Sequence, residues 1–349
     1  RVGGCPRVAD WSALEGAPLE KLVVYGDLVF LPQSLQSIAE RTEGWNEWWQ
    51  DDVAFSLSSL EELDTLPDSA LQGVSELNIA AGEFFDSSQF ELGENWNGNG
   101  PQPVLRNRET GEETRLKMPK EADWSFLNHS LPNMKNLTVA VMPITDLEPL
   151  RSLPGMKVMN LKFCTKLKDI TALNEMLDLE ELNLDNTAVT DLSPLKGKTK
   201  LRSLSFNRTK IMDYSPLAEC DFSYAANECG GLNIDIDNHN VKDFSFLAAC
   251  PKFNWMSMGG INPDKWMPHV ENAQIFNIFF GACNQKQFEA FIENHPEIEQ
   301  LHIQGTQITD LSMLPALQNL RYLRISPNMK KALASLEGLD YSFELEINN

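Results

Sequence analysis

The sequence predicts an α/β solenoid in which each unit makes one short strand, turns, and returns along the opposite face. Two observations predict it. A phrase of the form apolar-x-Asp-apolar-x-x-Leu recurs at a spacing close to 22 residues, with copies beginning at Ile144, Leu167, Val189, Ile211, Val241 and Ile308. Ahead of the phrase, apolar residues alternate with period 2, as Leu182 and Leu184 do, which is the pattern of a strand with one buried face. Self-similarity at a fixed period of this length marks a solenoid, because no unit can bury its apolar face without a neighbour.

The units are read in order along the chain. The first carries Leu19, Leu22 and Val24, after a copy of the phrase from Val8 to Leu14. An insertion at 32–70 is expected to be helical: Pro32 suits a helix start, and Leu35, Ile38, Trp45 and Trp49 approximate helical spacing. Its cluster of Trp45, Trp48 and Trp49 beside Asp51 and Asp52 is expected to cover the open end of the core rather than to bind a ligand. Val74, Leu77 and Ile79 restore the register. A second insertion at 91–118 holds a loop from Asn97 to Pro103 and a hairpin, Val104 to Arg108 with Glu113 to Met118. The phrase returns from Asp123 to Leu127. Residues 131–349 are regular and end in a cap, with a helical leg from Ala332 to Leu339 and a last strand holding Leu345 and Ile347. Residues 1–130 are thus the irregular part, and 131–349 the regular part, of one continuous solenoid.

The residue three after the second strand apolar forms a column: Met142, Cys164, Thr187, Thr209, His239, Ile261, Cys283, Thr306 and Asn328. Its steps are 22 or 23 residues, except for 30 between Thr209 and His239. The long step contains Phe222 to Gly231, an inserted loop or extra turn. The Asp of each phrase precedes the return leg and can accept from its free N–H groups. Pro149, Pro194 and Pro216 fall in the first turn of their legs, where a missing N–H costs little.

Residues 179–195 and 201–217 resemble the leucine-rich repeat family. The closest subtype is the 22-residue repeat of bacterial internalin-like proteins, L-x-x-L-x-L-x-x-N-x-I-x-D-L-x-P-L. The resemblance is specific over 131–330. It implies a curved solenoid with a parallel sheet on its concave side, short helices or 3-10 turns on its convex side, and a protein-binding role. The family's turn Asn is replaced here by Thr or Cys at Thr187, Thr209, Thr306, Cys164 and Cys283, and kept at Asn328. Met142, His239 and Ile261 depart from the pattern, and irregular turns are expected there.

Composition excludes some function classes. With 50 acidic and 29 basic residues the net charge is −21, which argues against nucleic acid or an anionic membrane as partner. No apolar run reaches the roughly 18 residues that span a bilayer. The chain begins at Arg1 rather than Met, so an upstream segment is expected and the compartment stays open. The internalin-like resemblance points to the cell surface, the thiol pattern inward.

Of six cysteines, Cys164 and Cys283 fall in the turn column, and Cys220 and Cys250 on core positions of the return leg. Cys5 and Cys229 have no assigned place, and no pair has C-x-x-C spacing. His129, His239, His269, His295 and His302 are scattered without metal-ligand spacing. There is no G-x-S-x-G, Walker loop or G-x-G-x-x-G. No catalytic residue, metal or cofactor is therefore expected.

The informative residues are the outward-facing ones of the strands. The middle of the array is small and polar, but its C-terminal part holds Trp255, Phe279, His302, Tyr322 and Arg324. Trp, Tyr and Arg are enriched in interface hot spots. These five are the candidate contacts for a protein partner, with the hairpin at 104–118 as a second candidate. A competing expectation has the inserted loop near Cys229 covering Trp255 and Phe279. A carbohydrate ligand, a structural or adhesive surface module, and the recognition domain of a larger enzyme remain as alternatives.

Overall fold

The computed structural model describes residues 22–24, 39–41, 74–96, 100–238, 240–304 and 307–347. The phrase from Val8 to Leu14, most of the insertion at 32–70 with its three tryptophans, Cys5, His239 and Thr306 lie outside the described residues. The chain divides into two compact units, residues 1–142 with 152–156, and residues 143–151 with 157–349.

In the first unit β1 (Leu22–Val24) pairs in parallel with β2 (Ala39–Arg41), Leu22 opposite Ala39. β2 falls inside the stretch expected to be helical. A three-residue strand is set by its partner's backbone, which the spacing of apolar residues does not report. β3 (Glu76–Ala80) pairs antiparallel with β4 (Glu83–Phe84). A separate antiparallel sheet follows, of β5 (Phe90–Trp96), β6 (Pro101–Asn107) and β7 (Glu113–Arg115). The expected hairpin is β6–β7. β5 lies outside that expectation, because Glu91 and Glu94 interrupt its alternation. In the fold Glu91 meets Arg106 of β6 at 2.8 Å, and Arg106 also meets Glu113 of β7 at 2.7 Å. β8 (Asn136–Ala140) runs parallel to β3, and Leu77, Ile79, Leu137 and Val139 fill the core beneath them.

The second unit is a sheet of parallel strands in sequence order: β9 (Val158–Asn160), β10 (Glu181–Asn183), β11 (Ser203–Ser205), β12 (Leu232–Asp235), β13 (Lys252–Ser257), β14 (Gln274–Phe280), β15 (Gln300–Ile303), β16 (Tyr322–Ile325) and β17 (Glu344–Ile347). The register stacks Met159, Leu182, Leu204, Ile234, Met256, Ile278, Leu301 and Leu323 in one inward column. None of the eight is more than 1% exposed. Each is backed by the apolar residues of the return leg, such as Val189, Leu192 and Leu195.

The return legs are mostly single 3-10 turns, at Thr171–Glu175, Ser193–Leu195, Ser215–Glu219, Ser245–Ala249 and Leu314–Ala316. Asp169, Asp191, Asp213, Asp243 and Asp310 each accept at Oδ1 from the backbone N–H two residues on, at 2.8 Å. The formal cap position of the first four legs is the apolar residue after the Asp, so the contact is an Asx turn that feeds the leg rather than a cap within it. These bonds hold the Asp169, Asp243 and Asp310 carboxyls below the usual range, chiefly through the N–H, and Asp191 chiefly through the Ser193 hydroxyl.

Turns at the other end of each strand follow a second rule. Thr187 and Thr209 donate their hydroxyls to Leu184 O and Phe206 O at 2.7 and 2.8 Å. Cys164, Ile261 and Cys283 are buried at the same position. Asn328 departs from the expected column: it is exposed, and Met329 is buried in its place. There the turn bond runs from Met329 N to Ser326 O, one residue later than the bond from Thr187 N to Leu184 O. Residues before the column take left-handed backbone, with φ of 64° at Phe163, 58° at Asn186 and 56° at Arg208. Further along, the backbones close up. A Cβ on Gly281 would lie 2.0 Å from the carbonyl oxygen of Gly259.

Among the described residues three helices interrupt the pattern. α1 (Ser223–Glu228) fills the 30-residue step, as the insertion predicts. α2 (Gln285–Asn294) replaces a 3-10 leg and buries Phe288, Phe291 and Ile292. Asn284 and Gln287 form a reciprocal capping box at its start, each bond 3.0 Å. α3 (Lys330–Ala334) starts two residues before the leg expected at 332–339 and overlaps only its first three residues. One buried amine also links legs: Lys198, 3% exposed, donates from Nζ to Leu173 O and Met176 O, both at 2.8 Å.

Two substitutions test this account by thermal or denaturant unfolding. Gly281→Ala is expected to cost at least about 2 kcal/mol, since backbone rather than a movable side chain occupies the space. Asp191→Ala is expected to cost about 0.5–1 kcal/mol, the low end for loss of a helix-entry bond at an exposed site.

Candidate functional site

The outward residues of the second unit form two columns. One joins Val158, Glu181, Ser203, Asn233, Trp255, Asn277, Gln300 and Tyr322, and the other Asn160, Asn183, Ser205, Asp235, Ser257, Phe279, His302 and Arg324. β13 carries one residue more than β12 before Trp255, since Leu232 faces Phe253 while Asn233 faces Trp255. Asn254 is this bulge, and absorbing it keeps Trp255 in the outward column.

Over β9 to β12 the face is polar and acidic. Asp185, just past β10, is 5% exposed and accepts from Ser205 Oγ at 2.6 Å and from Asn207 N at 2.8 Å. Asp237, just past β12, accepts from Arg208 N at 2.6 Å. Burial raises the Asp185 and Asp235 carboxyls above the usual range, and for Asp235 the neighbouring charges of Asp185 and Asp237 add to it. Asp235 belongs to an outward column, whereas Asp185 and Asp237 lie outside both columns. Their signal was a column one residue past the second strand apolar, holding Lys162, Asp185, Asn207 and Asp237. At the opposite rim Glu180 pairs with Lys157 at 3.1 Å and with Arg202 at 3.0 Å.

Over β13 to β16 the face is aromatic. The Trp255 and His302 rings meet edge to face at 5.2 Å between centroids, and His302 meets Tyr322 at 5.7 Å. Trp255 and His302 sit on strands two apart, so the indole reaches across β14. Phe279 stands between Ser257 and His302 in its column. Arg324 is beside His302 and pairs with Glu346 of β17 at 3.3 Å. All five sequence-predicted residues are half-buried. Burial, and then the Arg324 charge, lower the His302 pKa, so its imidazole is neutral at pH 7. The inserted segment with α1 approaches β13 from the backbone side: a Cβ on Gly231 would lie 2.5 Å from Asn254 N.

The thiols are built for packing. Burial pushes Cys250 and Cys283 up to about 12 and Cys220 to about 11, far from a reactive thiolate. His295 is 2% exposed, lies against Phe291, and meets Glu297 at 3.2 Å. Among the described residues no group of three or more His, Cys, Asp or Glu converges as a metal site. No helix among them is long and apolar enough to cross a membrane.

One strand per unit, an inward column of Leu-type residues, Asx turns into 3-10 legs and a 22-residue period decide the architecture. The fold is a leucine-rich repeat solenoid. No family model matches the chain. The solenoid is similar to an internalin (inlF) from Listeria monocytogenes, with 22% identity over 65% of this chain and 66% of that one, at a TM-score of 0.46. It is also similar to the functional domain of InlJ from Listeria monocytogenes, at 14% identity over 83% and 58% of the two chains, TM-score 0.39. Among curated proteins it matches Receptor-like protein 50 of Arabidopsis thaliana, 28% identical over 110 residues, which is 31% of this chain and 12% of the relative. A second match is the 187-kDa microtubule-associated protein AIR9 of Arabidopsis thaliana, 24% identical over 107 residues, 30% of this chain and 6% of the relative. The matched segments span a small fraction of both curated relatives.

The acidic half gives a pH prediction. A raised folded pKa means that Asp235 favours the fold in its protonated form, a contribution present below the unfolded pKa and lost as pH rises through the folded value. Asp235→Asn is expected to raise the midpoint of thermal unfolding at pH 7 relative to wild type. The gap should narrow as pH falls toward 4, which a series of melting curves checks.

Proposed function

We propose that the chain is a non-enzymatic recognition module with repeats of the 22-residue internalin-like subtype. It binds a protein partner on the sheet face of residues 157–349, through Trp255, Phe279, His302, Tyr322 and Arg324. The observation that carries the reading is the row of rings from Trp255 over His302 to Tyr322, held half-buried on rigid strands. Aromatic side chains carried on paired strands offer a large contact area with few rotatable bonds to settle on binding. The acidic half beside them, with Glu181, Asp235 and Asp237, suits a partner whose flanking residues are basic or neutral. The hairpin sheet is the weaker candidate surface, because Arg106 is already clasped by Glu91 and Glu113 within it.

The test is affinity by calorimetry for a partner recovered through cross-linking at the sheet face. Trp255→Ala, Phe279→Ala and Tyr322→Ala are each expected to leave the fold intact and weaken binding by about fivefold or more. Unchanged affinity in all three variants overturns the reading.

A further inference from the structure

We propose that the patch beneath Trp255 is an amide-recognition site, in which Asn277 Oδ1 and His302 Nε2 together receive a neutral amide group of a partner polypeptide. The proposal rests on the sheet face being the partner surface, and it names the chemistry that the surface selects.

Both atoms are buried without a hydrogen-bond partner. Folded proteins leave few such groups, and these two stand on adjacent strands, Asn277 on β14 and His302 on β15, with the Trp255 ring of β13 against the second. Turning the Asn277 amide over does not resolve it. Its Nδ2 donates to Asn254 O at 2.7 Å, which fixes Oδ1 as the free end. Asn254 in turn donates from its own Nδ2 to Asn233 Oδ1 at 2.8 Å, so the amide row is anchored along its length. His302 is held between the Trp255 and Tyr322 rings at 5.2 and 5.7 Å. The Trp255 side chain passes from β13 to this ring across β14, where Asn277 is its neighbour in the column.

The pair sets what can bind. Asn277 Oδ1 asks for a donor. A neutral imidazole nitrogen asks for a donor or an acceptor according to tautomer. An amide supplies both: an N–H for Oδ1, and its carbonyl or a second N–H for Nε2. Arg324, adjacent to His302 on β16, opposes a cation. The carbonyl-type oxygen of Asn277 and the acidic half of the face oppose an anion. A flat amide also fits against ring faces once Trp255 swings aside, a rotation about its own side-chain bonds that leaves the sheet unchanged.

The experiment is NMR of the His302 imidazole in the whole chain. The probes are acetyl-Gly-Asn-Gly-N-methylamide, acetyl-Gly-Leu-Gly-N-methylamide and methyl β-glucoside. A saturable shift with either peptide is expected. Binding of both assigns the backbone amide, and of the Asn peptide alone the side-chain amide. Asn277→Leu should weaken that peptide about threefold to tenfold, as loss of one hydrogen bond implies. His302→Phe, which keeps a ring but removes the orphaned nitrogen, should unfold at the same or a higher temperature. Saturation by neither peptide, a shift with the glucoside alone, unchanged peptide affinity in Asn277→Leu, or a melting point several degrees lower in His302→Phe overturns the assignment. The titration involves no partner, so its failure removes the amide assignment alone. Unchanged partner affinity in the alanine variants removes the wider reading.

Discussion

Everything in the second unit depends on one constraint: successive strands must pair in parallel with their inward residues in line. A strand of three residues cannot bury its face unaided, so Leu182 is buried because Met159 and Leu204 flank it. A slip of one residue would turn that whole column to solvent. Variable features sit where they leave this register alone. α1 is inserted between a leg and a strand, α2 replaces a leg, and the Asn254 bulge enters at the start of β13. Core and recognition face are therefore two readings of one alternation. Moving a residue between them would require moving a strand.

Electrostatics divides that face into two parts with different physics. In the acidic half, charge is concentrated and partly buried, and serine and asparagine from intervening strands hold Asp185 and Asp235 apart. In the aromatic half, charge is nearly balanced, with Arg324 against Glu346 and His302 neutral. A partner crossing both would meet a long-range field at one end and short-range contact at the other. The first governs approach and the second residence.

Much of this was legible in the sequence. The outward columns, the 30-residue step and the structural cysteines all follow from counting, because period 2 and period 22 are properties of the chain itself. The unread features depend on partners distant in sequence. β2 and β5 exist because another backbone pairs with them. The left-handed turns at Phe163 and Arg208 carry no glycine to announce them. Asn328 lost its place because one extra residue entered the turn after Ile325. The capping box at Asn284 and Gln287 is in sequence only a spacing of three between two amides, which does not by itself mark a helix start. Of the five candidate residues, counting could place each in its column. It could not show that Trp255 would cross a strand to meet His302, since a rotamer decides that.

Lys198 carries a consequence for how the solenoid comes apart. Its ammonium group ties off the last carbonyls of the preceding leg, so two successive repeats within the second unit share a fastening that neither owns. Fraying of residues 171–176 would strand a buried cation, and withdrawal of Lys198 would leave two carbonyls bare. In an array stabilised mostly by nearest-neighbour contact, such a clasp welds two adjacent repeats into one cooperative block. Local opening is then steered towards units without a comparable fastening.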